Sequence, residues 1–169
     1  MKDIFVNALV ITLMLLLQVL FFNQINLFGY GYIFVYLIFL IVTPLSIKTI
    51  PLMLVSFVIG CVLDIFMQSY GIHTFAITLI AAIRRSLLNI FFSKEDLDYS
   101  TSLFVRFSYA YYKYVVIIVL IYCLTVFSME AFSTKLIIPV LQKTGVSTVV
   151  TTISIFFVQA LTLRKYDER

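Results

Sequence analysis

Few residues in this chain have side chains suited to chemistry, and one of them is isolated. Asp64 lies in the stretch "GCVLDIFMQSYGIH", residues 60–73, with Cys61, Val62 and Leu63 before it and Ile65, Phe66 and Met67 after it. The nearest other charges are Lys48 and Arg84. A carboxylate in such a run is costly where water is scarce and needs a partner. Ser56, Gly60, Asp64 and Gln68 follow one another at i, i+4 spacing, which places them on one face of a helix. Ser56 and Gly60 are small and let a second backbone come close; Asp64 and Gln68 fall at the outer end of that face. A turn centred near Ser69–Tyr70 folds Asp64 back opposite Thr74 and Phe75, one helical step from His73. The expected partners of Asp64 are therefore His73, Thr74 and the free N–H groups opening the next helix, whose dipole favours an anion. A proton or cation site is the competing reading, but such a path generally carries several ionisable groups at depth, and here there is one.

Other chemistry is sparse. A single His rules out the H-E-x-x-H pair and any multi-His metal site. Cys61 and Cys123 sit inside apolar runs, as buried small hydrophobes do. There is no phosphate-cradling loop, no G-x-S-x-G and no dinucleotide fingerprint. Close carboxylates occur only in "KEDLD", which reads as a solvated face. No catalytic residue, metal or cofactor is expected. The net charge of +4 follows membrane orientation and gives no reason to expect nucleic acid.

The elements that must position these residues are apolar helices. The chain has 169 residues, 12% of them charged, and a mean hydropathy of +1.11. Several stretches approach or pass the roughly 17–25 residues that cross a bilayer as helix, and they are solidly apolar rather than alternating, which excludes a spanning barrel. One domain over 1–169 is expected, with six spans at about 4–22, 31–47, 51–68, 72–92, 112–129 and 144–163. The first run, "IFVNALVITLMLLLQVLFF", is too long for a signal-peptide core and no A-x-A site follows, so it reads as a permanent span. With both termini in the cytoplasm, 10 of the 12 basic residues lie inside and only Lys135 and Lys143 outside. That asymmetry favours an even number of spans.

The fourth span is the least regular, because only about a dozen apolar residues precede Arg84 and Arg85. Both arginines are expected to snorkel toward the cytoplasmic headgroups. Beyond them, Ser93 and Asp96 are spaced to cap a short cytoplasmic helix. Asn7 and Gln18 share one face of the first span, and Thr144, Thr148, Thr151, Gln159 and Thr162 share one face of the last. Polar residues within spans face protein, so these stripes map the bundle interior and read chiefly as hydrogen-bonding glue between helices.

The segments "LLLQVLFFNQINLFGY" and "GCVLDIFMQSYGIHTFAI" resemble the bacterial rod shape-determining protein MreD, in particular its Bacteroidetes form. The family's most recognisable pattern is a Gly, a few apolar residues, an Asp, a short polar turn and a further Gly. Here it falls on Gly60, Asp64 and Gly71. The specific resemblance covers about residues 15–80; the last two spans match in general character only. It implies a non-catalytic component of the bacterial inner membrane, part of the elongation (rod) complex that maintains cell shape and places lateral peptidoglycan synthesis. The implied partners are an MreC-like bitopic protein, the complex's glycosyltransferase and transpeptidase, MreB filaments and the bilayer. The implied fold is an all-α six-helix bundle similar to the substrate-binding subunits of energy-coupling-factor transporters. A vitamin-binding subunit of that kind is thus the alternative function. Those subunits typically carry Ala-x-x-x-Ala in the first helix, whereas here Ala8 is followed by Thr12. The residues expected to matter for structure or interaction are Ser56, Gly60, Asp64, Gln68, Gly71, His73, Arg84 and Arg85.

Overall fold

A computed structural model describes Gln18 and residues 31–43, 47–92, 108–131 and 137–167. Among them, the regular elements are helices: α1 Leu37–Val42, α2 Thr49–Met67, α3 Ile72–Phe91, α4 Ser108–Ala131 and α5 Ile137–Asp167. Four of these, α2 to α5, are long and apolar enough to cross a membrane. At about 1.5 Å per residue, the 19 residues of α2 reach roughly 28 Å, close to the hydrocarbon thickness. The expected first span, Gln18 excepted, and the Ser93–Asp96 cap lie outside the described residues.

The helices pack in chain order, α2 on α3, α3 on α4 and α4 on α5. The central helix α3 is the most clearly two-faced. Its buried residues are His73, Ala76, Ile77, Ile80, Ala81, Arg84 and Leu88, recurring at three- and four-residue spacing. On α4, Tyr111, Tyr114, Val115, Ile118, Val119, Tyr122, Cys123, Val126 and Phe127 form a broad buried face. Helix α5 is polar inward and apolar outward. Ser147 and Thr151 are fully buried, with Thr144, Thr148 and Gln159 nearly so, while Ile138, Leu141, Val149, Ile153 and Phe157 are exposed. In water that arrangement would be costly. In lipid it is favourable, because the apolar side chains meet acyl chains, and Ser147, Thr151 and Gln159 find hydrogen-bond partners inside.

Over residues 31–47 the structure departs from the expected span. Among the described residues there, the helix is α1 alone, six residues long. Residues 32–34 are non-helical and 35–36 form a turn, yet Ile33, Phe34, Val35 and Tyr36 are all buried. At its other end α1 stops at Thr43, whose ψ of 131° is extended. Pro44 comes next in the sequence, and a residue before proline is pushed out of the helical region. Helix α3, by contrast, runs unbroken through Arg84 and Arg85 to Phe91.

Candidate functional site

Helix α2 ends at Gln68, which adopts the left-handed conformation with φ 54°, and its N–H bonds the Asp64 carbonyl. Tyr70 (φ 52°) and Gly71 (φ 92°) are left-handed as well, so the chain reverses within four residues. Gly71 then occupies the N-cap position of α3 but has no side chain with which to cap. Asp64 does so from the preceding helix. Its Oδ1 accepts from the Ser69 hydroxyl at 2.5 Å and the His73 N–H at 3.0 Å. Its Oδ2 accepts from the Thr74 N–H at 2.8 Å and the Thr74 hydroxyl at 2.5 Å. Two orphan amides of α3 are thereby satisfied by a charge that the helix dipole also favours. A carboxylate offers about four lone-pair sites, and four donors occupy them. Asp64 is held by the turn it shapes.

Gly60 lies one turn back on the same face. A Cβ built there would collide with the Thr74 Cα and stand 3.0 Å from both the Thr74 N and the Ile77 Cγ2. The absence of a side chain therefore sets how closely α2 and α3 approach. Ser56 is fully buried, while Gln68, at the end of the i, i+4 stripe, is exposed. The surface beside the turn is a shallow, open depression bordered by Asp64, Ile65, Gln68 and Tyr70.

His73 links this turn to the interior. Its backbone N–H is bound to Asp64, and its ring points the other way. The Nδ1 lies 2.7 Å from the Tyr122 hydroxyl and 3.2 Å from the Tyr36 hydroxyl, and the two phenols also bond each other. Phe34 packs against His73, Tyr36, Tyr122 and Phe127. A neutral imidazole with a bare Nδ1 satisfies the group: Tyr122 donates to Nδ1 and Tyr36 donates to the Tyr122 oxygen. A proton on Nδ1 would give three donors for two oxygens and leave one hydrogen unpaired.

The non-helical stretch before α1 has its own polar setting. On one side the Gln18 amide donates Nε2–H to the Ile33 carbonyl at 2.6 Å and accepts from the Val35 N–H at 3.0 Å. On the other, the Ser147 hydroxyl accepts from the Tyr32 N–H at 3.0 Å. Thr151 accepts from the Phe34 N–H at 3.2 Å and donates to the Tyr32 carbonyl at 3.3 Å. Five backbone groups of this buried stretch are thus paired with side chains, as buried irregular backbone requires.

Arg84 and Arg85 part company. Arg85 is exposed, whereas Arg84 is only 4% exposed. The expectation that both snorkel outward is corrected for Arg84, which turns inward and donates from Nη2 to the Thr43 carbonyl. Thr43 ends α1, so the guanidinium sits at the negative end of a helix and satisfies one of its last carbonyls.

The structure thus brings Gly60, Asp64, Gly71 and His73 together at one turn. It leaves Gln68 on the surface beside that turn and places Arg84 at a second site with Thr43. Tyr36, Tyr122 and Thr43 are additions that the sequence did not single out. The tyrosines lie inside apolar runs, where a phenol reads as interfacial. Among the described residues no three His, Cys, Asp or Glu are grouped to hold a metal ion. No family model, curated protein or solved structure matches the chain.

Proposed function

We propose that this chain is a non-catalytic, MreD-like component of the bacterial elongation complex. In this reading it acts in the cytoplasmic membrane by contact with an MreC-like bitopic protein, and through it with the glycosyltransferase, the transpeptidase and MreB filaments. One observation carries the reading. The three residues on which the resemblance rests each do a separate stereochemical task in a single hairpin. Gly60 permits the α2–α3 contact, Asp64 caps α3, and Gly71 supplies the positive φ. The motif is accordingly one of shape, suited to presenting a fixed helical surface. Among the described long helices α2 comes first in the packing order, and it turns Ile50, Leu54, Phe57, Val58, Ile65 and Phe66 outward, a surface of the kind that a partner's single helix can share with lipid.

Affinity purification of the tagged chain from native membranes, in a lipid-preserving detergent, tests the proposal. A bitopic MreC-like protein should come with it in fixed proportion. The second reading, a vitamin-binding transporter subunit, has one observation in its favour: buried non-helical backbone beside Tyr36, His73 and Tyr122, of the kind that lines substrate sites in transporters. Those three polar groups are already spent on each other. Native mass spectrometry of the same preparation separates the two: a retained small molecule displaced by His73→Ala favours transport.

A further inference from the structure

We infer that Arg84 anchors a binding site for the headgroup phosphate of an anionic lipid, where α1, α3 and α4 meet at the end of the bundle opposite the Asp64 turn. This inference rests on the membrane setting of the helices and not on the functional proposal above. The first observation is a buried cation without an anion. Arg84 is 4% exposed. Its guanidinium carries five N–H donors, and its one acceptor among the described residues is the Thr43 carbonyl. Helix α1, which ends there, is six residues long, and even a full helix terminus supplies only about half a charge. Among the described side chains the carboxylates are those of Asp64 and Glu130. Asp64 accepts from Thr74, and the ten residues of α3 from there to Arg84 rise about 15 Å. Glu130 pairs with Lys143 at 3.9 Å, sixteen residues or about 24 Å along α4 from Tyr114. A charge out of water is among the most costly groups to leave uncompensated.

The second observation is a pair of unspent donors. The guanidinium lies beside the phenols of Tyr111 and Tyr114. The Arg84 Nε–H and the Tyr114 hydroxyl are both buried, and neither has a hydrogen-bond partner. An N–H and an O–H next to one positive charge form the donor set of an oxyanion, and arginine matches phosphate in geometry as well as charge. A phosphate oxygen would accept from both groups and bring the missing negative charge. The third observation is the setting. Lys48, Arg85 and Lys113 are exposed, and all three lie at this end, where α2 begins, α3 approaches its last turn and α4 sets out. Lys113 stands 4.4 Å over the Tyr109 ring. Tyr109 and Tyr112 are exposed at the start of α4, a composition suited to the headgroup level. Tyr114 follows Tyr112 by two residues, within about one turn of the same helix. Basic sites between spanning helices take anionic lipid headgroups, and the acyl chains hold such a phosphate in place as a free anion is not held.

Native mass spectrometry and thermal unfolding of the full chain in a mild detergent, supplemented with dioleoyl phosphatidylglycerol or dioleoyl phosphatidylcholine, test the inference. The wild type should retain phosphatidylglycerol and unfold at a higher temperature with it than with phosphatidylcholine. Arg84→Gln should lose that difference, and Arg85→Gln, at the exposed neighbour, should keep most of it. Tyr114→Phe decides the matter if Arg84→Gln fails to fold. It removes an unpaired hydroxyl, so it should unfold as the wild type does in phosphatidylcholine. It should also retain phosphatidylglycerol roughly tenfold more weakly, as the loss of a hydrogen bond to a charged group implies. A wild type without preference between the two lipids overturns the inference, and so do equal losses at Arg84 and Arg85, which would mean that surface charge alone is read. A Tyr114→Phe variant that matches the wild type in both lipids, or is destabilised equally in both, overturns it too, because the hydroxyl then serves nothing or serves the protein itself. Inorganic phosphate that reproduces the whole shift without lipid would overturn the assignment to a lipid.

Discussion

The carboxylate of Asp64 and the backbone N–H of His73 meet at 3.0 Å across the turn joining α2 to α3, so α3 is capped by a residue of the helix before it. The same histidine carries its ring into the buried phenols of Tyr36 and Tyr122. One residue therefore ties together α2, α3, α4 and the segment leading into α1.

Replacement of Asp64 should follow the count of donors it serves. Asp64→Leu leaves two amides and two hydroxyls without their acceptor, at about 1–3 kcal/mol for each group that stays buried and unpaired. In Asp64→Asn the remaining oxygen can keep the two Thr74 donors. The hydroxyl of Ser69 can rotate to accept from the new amide, and only the His73 N–H loses its partner. The Asn variant should therefore accumulate to near wild-type level and unfold at a modestly lower temperature, with Leu far lower. An Asn variant at normal level that fails as completely as Leu in complementation would point instead to a function of the charge.

The glycines separate steric from conformational demands. Gly60→Ala forces backbone apart at Thr74 and should cost about 1–3 kcal/mol, the usual penalty of overpacking. Gly71→Ala meets nothing within 4 Å but must hold φ at +92°, a cost of roughly 1–2 kcal/mol from the backbone alone. Gly145→Ala, in α5 with open space around it, should be neutral or stabilising by up to about 1 kcal/mol. Thermal unfolding of the three variants in one detergent gives the order directly, and equal losses at Gly60 and Gly145 would sink the close-contact argument.

The buried phenols are expected to be unequal. Tyr36→Phe leaves the 2.7 Å bond between Tyr122 and His73 in place. Tyr122→Phe leaves only the 3.2 Å contact of Tyr36. Hydrogen bonds within membrane bundles average about half a kcal/mol, so both losses should be small and Tyr122→Phe the larger. Reversible unfolding in mixed micelles would resolve the difference, and the opposite order would contradict the hydrogen-bond assignment.

Much of this was legible from the sequence because lipid leaves few alternatives. A lone Asp in an apolar run must find donors, and the turn signal five residues later limited the search to His73, Thr74 and the amides that open α3. The interior face of α5 was likewise visible in Thr144, Thr148, Thr151 and Gln159. Periodicity could not show the non-helical stretch at 32–34, since "YIFVY" is as apolar as any helix around it; what holds it open comes from Gln18, Ser147 and Thr151, distant in sequence. Arg84 escaped for a related reason. Its acceptor exists only because α1 ends at Thr43, and α1 ends early through an effect of Pro44 on its neighbour.

The distribution of basic residues predicts an orientation with both termini in the cytoplasm. Reporter fusions ending at Asp3, Ser46, Asp98 and Arg169 should report cytoplasm, and those after Asn26, Gln68 and Gln142 should report periplasm. A periplasmic signal at Asp98 would overturn the six-span arrangement.

The proposed role is tested most directly by photo-cross-linking in living cells from the outward face of α2, with a photoreactive residue placed in turn at Leu54, Phe57, Val58 and Ile65. An MreC-like bitopic protein should be captured at positions on one side of the helix and lost from its neighbours. Capture of a transporter's ATPase or its membrane coupling subunit in its place, with no bitopic partner at any position, would contradict the proposed membership in the elongation complex.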